Sequence, residues 1–157
     1  MKHLAYIAFG SNIGDRKAYI LSSMDKMRER GMEFLKISTM YETEPYGVTD
    51  QPKFMNCVAT VRTELSPITL METLLEVEKS LGRVREKKWG PRVVDLDIVF
   101  YDHKIVSFAN LSIPHSDMQN RTFVLEPLYE IAPHYVHPML HKTVAELLND
   151  LKEAASN

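Results

Sequence analysis

RVREKKWGPRVVDLDIVFY, residues 83–101, changes character half-way along. Residues 83–92 hold five Lys or Arg against a single Glu, interrupted by Trp89-Gly90-Pro91. Val93 to Tyr101 is mostly β-branched, aliphatic or aromatic, the composition of a strand. Asp95 and Asp97 stand two apart, so a period of two puts both carboxylates on one face. Leu96, Ile98 and Phe100 are expected on the opposite face, as core. Asp is depleted in strands and neighbouring same-face carboxylates repel one another, so this pair calls for a compensating charge. A hard divalent cation is the simplest candidate. A basic run alone is usually a solvated surface. Set directly before the Asp pair, through a flexible Gly-Pro joint, it suits a polyphosphate carried on that metal.

The chain leading to this strand reads as alternating strands and helices. Residues 3–9 form a first strand, and Gly10 to Asp15 a tight turn with Asp15 as helix N-cap. Ile20, Leu21, Met24 and Met27 recur at helical spacing until Gly31. The strand–glycine loop–helix order lacks the spacing of a phosphate-binding loop. Residues 33–43 read as a second strand, followed by the long turn-rich connection 44–52, of a kind that is usually functional or mobile. Over residues 53–64, Met55, Cys57, Ala59 and Val61 share one face, and Phe54, Asn56, Val58 and Thr60 the other. The first face is the core candidate, which makes Cys57 a buried, inert thiol. Ser66-Pro67 starts a second helix with Leu70, Leu74, Val77 and Leu81 as its buried stripe, and Glu78 falls in its last turn.

The order β-α-β-β-α-β predicts an α+β, ferredoxin-like sandwich with a C-terminal helical extension. With both helices on one sheet face, Asn56, Asp95 and Asp97 would emerge together on the uncovered face. Residues 104–113 read as a short hairpin, broken by Ile113-Pro114-His115. A short apolar helix starts at Arg121 and ends by Pro133, and a last helix opens with a capping box at Thr143 to Glu146. His115, beside a proline and close to Arg121, is the one histidine whose context suggests work.

A chain of 157 residues is expected to form one domain, residues 1–157. A formal charge of −2 excludes a general polyanion trap, so nucleic acid is not an expected partner and any anion site is local. A single cysteine excludes an intrachain disulfide or a multi-thiolate metal site and fits a reducing, cytoplasmic location. No apolar run reaches membrane-spanning length, so no membrane partner is expected, and the start reads as a strand rather than a signal peptide. A metal-binding Asp pair, several cations and an amide–aromatic surface together are the apparatus of phosphoryl-type transfer to a small flat acceptor. A nuclease would want a broader basic surface, and a non-catalytic ligand sensor has no need of paired strand carboxylates.

Several separated motifs stand in an order similar to that of the 6-hydroxymethyl-7,8-dihydropterin pyrophosphokinase family. They are Tyr6-Ile7-Ala8-Phe9-Gly10-Ser11-Asn12, Tyr41-Glu42-Thr43, Asp50 to Asn56, Gly82-Arg83-Val84-Arg85, Trp89-Gly90-Pro91-Arg92, Asp95-Leu96-Asp97-Ile98, Ile113-Pro114-His115 and Arg121 to Leu125. The resemblance spans residues 4–138 and implies transfer of pyrophosphate from ATP to the acceptor's hydroxymethyl group, in folate biosynthesis. It implies two Mg²⁺ held by Asp95 and Asp97, with one of these carboxylates near the attacking hydroxyl, and Arg83 and Arg92 as catalytic cations. The ATP side would comprise Glu78, Arg83, Arg85, Arg92, Ile98, Ser112, His115 and Arg121. The pterin side would comprise Thr43, Pro45, Tyr46, Phe54, Asn56, Trp89 and Phe123, with Phe123 stacking and Asn56 reading the amide edge. Connections 10–15, 44–52 and 83–92 would be mobile loops sealing the site, the last ordering with both substrates bound. A monomer is expected. Glu44, Asn110 and Ser116 depart from the residues common at those positions.

Overall fold

The computed structural model describes residues 1–45, 50–82, 93–108 and 110–156. It has a mixed α/β fold with an antiparallel sheet and four α-helices. In chain order the elements are β1 (His3–Ser11), α1 (Arg16–Glu29), β2 (Glu33–Ile37), β3 (Tyr41–Thr43), β4 (Phe54–Thr63) and α2 (Pro67–Ser80). Then follow β5 (Asp95–Tyr101), β6 (Val106–Phe108), β7 (Leu111–Ile113), a 3₁₀ turn at Met118–Asn120, α3 (Thr122–Ile131) and α4 (Val144–Ala155). The main sheet runs β2-β4-β1-β5, with β3 pairing β4 beyond the end of β2; β6 and β7 form a separate hairpin.

The helix ends follow from side-chain chemistry. Asp15 accepts the Ala18 N–H at 3.1 Å, Ser66 accepts that of Thr69 at 3.3 Å, and Thr143 with Glu146 completes a capping box. Gly82, at φ +92°, supplies the left-handed residue that stops α2. Ile20, Met24 and Met27 of α1 and Leu70, Leu74 and Val77 of α2 pack on Ala5, Ile7 and Phe9 of β1 and Cys57, Ala59 and Val61 of β4. Leu21, expected in that stripe, is 53% exposed: it lies one step round the helix, beyond the face that meets the sheet. Cys57 is 1% exposed and its thiol is pushed up to about 12 by burial.

The opposite sheet face is not left bare. There α3 and α4 bury Val124, Leu125, Leu128, Val144, Leu147 and Leu148 against Val58, Val99 and Phe100. Two expectations change here. Phe100 does not share a face with Leu96 and Ile98, because the β1–β5 register steps from Ile7↔Ile98 to Tyr6↔Phe100. Val99 is the extra residue of a bulge, so Val99 and Phe100 both enter the second core while Tyr101 returns to the first. The second strand is also not continuous over 33–43. Ser38 donates its N–H to the Val58 carbonyl and accepts the Val58 N–H on its hydroxyl, each at 2.9 Å. A side chain replacing a backbone partner bends the chain and separates β2 from β3.

Candidate active site

The part of the second face that α3 and α4 leave open is a cleft with about 710 Å³ of empty space, its open mouth included. The period of two brings Asp95 and Asp97 of β5 and Phe54 and Asn56 of β4 to it, and Thr43 of β3 closes one side. The start of α3 contributes Phe123 and Val124, and the turn before it His115, Met118 and Arg121. Asn56 is 6% exposed and donates its amide N–H to the Thr43 hydroxyl. Gly10 lies beneath them: a Cβ there would stand 3.0 Å from Asn56 Oδ1 and 3.5 Å from Phe54 Cδ1. Any side chain at position 10 would thus take room from the cleft floor.

His115 is held by its backbone, which donates to the Val99 carbonyl at 3.1 Å, and by its ring, whose Nδ1 accepts the Asp117 N–H at 3.3 Å. Burial, and after it the Arg121 guanidinium, hold the imidazole below the ordinary histidine value; Asp117 and Asp95 pull the other way. The ring is therefore neutral near pH 7, with its proton on Nε2. Arg121 is paired with Asp117 at 3.4 Å and lies 5.6 Å from the Phe123 ring centroid.

A second cleft opens on the other side of the β5 start, between α2 and β7. It is lined by Met71, Leu74, Leu75, Leu96, Ile98, Leu111 and Ser112. Asp97 and His115 line both clefts, so a groove of mixed lining, to which Asn110 and Ser116 also contribute, and an amide–aromatic pocket meet at one carboxylate and one imidazole.

Of the residues named from the sequence, Thr43, Phe54, Asn56, Asp95, Asp97, His115, Arg121 and Phe123 are brought together in the first cleft, and Ile98 and Ser112 line the second. Pro45 is buried but is not among the residues lining either cleft. Glu78 is 1% exposed and accepts the Leu96 N–H at 2.7 Å, behind the Asp pair rather than in a cleft. Tyr46, Arg83, Arg85, Trp89 and Arg92, and with them the 83–92 lid, lie outside the described residues. Gly10, Val99 and Met118 line the first cleft without having been anticipated there. The glycine turn signalled only a turn, and nothing in the sequence singled out the other two.

Asp95 and Asp97 offer hard oxygen donors from one strand face, and no group of three metal-ligating side chains occurs among the described residues. That set fits Mg²⁺, which commonly takes one or two protein carboxylates and keeps water and substrate phosphates as its other ligands.

The family model for 7,8-dihydro-6-hydroxymethylpterin-pyrophosphokinase (HPPK) matches residues 6–133. The chain belongs to this family. The HPPK relative from Bacillus subtilis, 2-amino-4-hydroxy-6-hydroxymethyldihydropteridine pyrophosphokinase, is 42% identical over 132 residues, covering 83% of this chain and 79% of its own length. The protein of the same name from Aquifex aeolicus is 40% identical over 141 residues, 90% of this chain and 88% of that one. Folic acid synthesis protein fol1 of Schizosaccharomyces pombe is 40% identical over 94% of this chain, which spans only 20% of that longer protein. Among solved structures, Plasmodium falciparum HPPK-DHPS with pteroate superposes with a TM-score of 0.79 at 17% identity, over 100% of this chain and 44% of that one. At that identity the likeness is one of fold.

Proposed function

We propose that this HPPK-family chain is a diphosphokinase of folate biosynthesis, moving pyrophosphate from ATP to the hydroxymethyl group of 6-hydroxymethyl-7,8-dihydropterin. The observation that carries the reading is the pair of clefts sharing Asp97 and His115. Transfer needs donor and acceptor held on either side of one charged centre. In the first cleft Phe54 and Phe123 offer faces to a flat ring, and Asn56, braced by Thr43, offers an amide to its polar edge. In the second, Ile98 and the leucines suit the base of ATP, with Ser112 as a polar handle.

Asp95 and Asp97 would hold Mg²⁺, two ions in this reading, which when bound neutralises triphosphate charge. The neutral His115 donates from Nε2 to a phosphate oxygen, and Arg121 adds positive charge on the same side. The acceptor oxygen bonds to the β-phosphorus, and the bond between the β-phosphorus and the α–β bridging oxygen breaks. AMP leaves with the bridging oxygen, and the hydroxyl proton is released. Arg83, Arg85, Arg92 and Trp89 keep the roles that the resemblance implies, as phosphate cations and a cover excluding water. Glu78 serves the ATP side, and Pro45 and Tyr46 the pterin side.

The all-antiparallel order β2-β4-β1-β5, with α1 and α2 sharing one face, supports a ferredoxin-like reading of residues 1–157 as one domain. We read it as a monomer acting in the cytoplasm, without nucleic-acid or membrane partners; among the described residues no helix is long and apolar enough to cross a membrane. The deciding experiment measures AMP formed from ATP with and without the hydroxymethyl pterin and Mg²⁺. AMP requiring both is the expected result; AMP formed equally without the pterin overturns the assignment.

A further inference from the structure

We propose that Arg16 is a positioning residue for the first cleft, a strap that ties α1 to the β3–β4 ladder forming the acceptor wall. The proposal rests on the reading of that cleft as the acceptor site. Arg16 is the first residue of α1, where a cation meets the positive end of the helix dipole, and the helix end is already served by the Asp15 cap. Helix stability therefore does not explain it.

Its guanidinium instead turns back across the sheet end. Nη2 donates to Glu42 Oε2 at 2.8 Å and Nη1 to the Lys53 carbonyl at 2.9 Å. The residues next to these two partners, Thr43 and Phe54, face each other in the β3–β4 register, and both line the cleft. Thr43 in turn accepts the amide of Asn56. A ladder whose outer strand is only three residues long opens easily at its end. The planar fork clamps both strands at that rung, which a lysine, with one compact ammonium on a flexible stem, does not reproduce.

Arg16 and Glu42 side chains are 27% and 48% exposed, so their pairing adds little to the stability of the whole molecule. The consequence is local: the spacing of Thr43, Phe54 and Asn56 around the acceptor.

The test uses the full chain and calorimetric titration with the hydroxymethyl pterin, and separately with Mg²⁺ and a non-hydrolysable ATP analogue. Proteins compared are wild type, Arg16→Met, Arg16→Lys, Glu42→Gln, and Asn56→Ala as the cleft control, each with a melting curve. Arg16→Met is expected to weaken pterin binding about tenfold and analogue binding by less than about twofold. Arg16→Lys and Glu42→Gln are expected to fall between, keeping one arm of the clamp each. If Asn56→Ala weakens the pterin and Arg16→Met does not, whatever happens to its melting temperature, Arg16 is merely structural and the proposal falls. Equal losses for both ligands in Arg16→Met and Arg16→Lys overturn it as well. If Asn56→Ala leaves pterin binding unchanged, the acceptor reading itself fails and takes the strap with it.

Discussion

Asp97 borders both clefts, so its loss should strike the chemistry rather than the fold. Removing one of two carboxylates that would hold the metal forfeits several kcal/mol of transition-state charge stabilisation, and Asp97→Ala should lower metal-dependent turnover by roughly 10³-fold or more. Steady-state AMP formation, with circular dichroism to confirm folding, checks it; turnover within about tenfold of wild type would sink the metal role. Gly10 is a sharper probe of geometry. Its added Cβ would press on Asn56 Oδ1 at 3.0 Å, so Gly10→Ala should weaken pterin binding by roughly tenfold and leave ATP-analogue binding nearly unchanged, as measured by calorimetry. The site residues that could be read from sequence are those out of keeping with their setting: acids in a strand, an amide beside an aromatic, a histidine beside a proline and close to an arginine. Arg16 was not readable in this way. Its partners lie 26 and 37 residues away, and nothing local marks a surface arginine as a clamp.

At the scale of elements, strands and helices were legible wherever periodicity and caps agreed, as in α2 between Ser66 and Gly82. The misread places are those where one side chain overrides the period. Val99 inserts a bulge that turns Phe100 to the other core, and the Ser38 hydroxyl replaces a strand partner and splits β2 from β3. A third such device has a consequence for pH. In the turn before α4, His137 is 3% exposed and its Nδ1 accepts the N–H groups of Met139 and Leu140 at 3.1 and 3.0 Å. An imidazole accepting there is neutral, and burial, with His141 second, holds it below the ordinary histidine value. Its contribution is thus whole above the unfolded value near 6.5 and is lost as pH falls through the lower folded one. His115 adds a slope of the same sign. Urea unfolding between about pH 7.5 and about pH 5 should show falling stability. His137→Asn, whose amide oxygen can accept the same donors without titrating, should flatten that fall but not abolish it. An unchanged slope would mean that His137 is not the titrating group.

For the molecule as a whole, the unexpected feature is that the sheet is covered on both faces. The pattern β-α-β-β-α-β predicts only the α1–α2 layer. The second layer comes from segments whose apolar residues, read singly, say nothing about which face they cover. This matters because α3 both seals the second core and carries Phe123 into the cleft, and α4 braces α3 from behind. Burying Val144, Leu147 and Leu148 fully should contribute about 1.5–3 kcal/mol apiece. Their sum rivals the entire net stability of a domain this size, roughly 5–15 kcal/mol. Helix α4 lies wholly beyond residues 6–133, the part matched by the family model, so it could pass for a dispensable tail. A chain ended after Pro133 should instead lose cooperative unfolding and bind an apolar dye, because Val58, Phe100 and Leu128 would be bared. The milder Leu148→Ala should keep the fold, lower stability by about 2–5 kcal/mol and leave pterin binding close to wild type whenever the protein is folded. Chemical denaturation and calorimetry on both variants decide the matter. If the shortened chain unfolds as sharply and as late as the full one, α4 is an appendage and the second core is held by α3 alone.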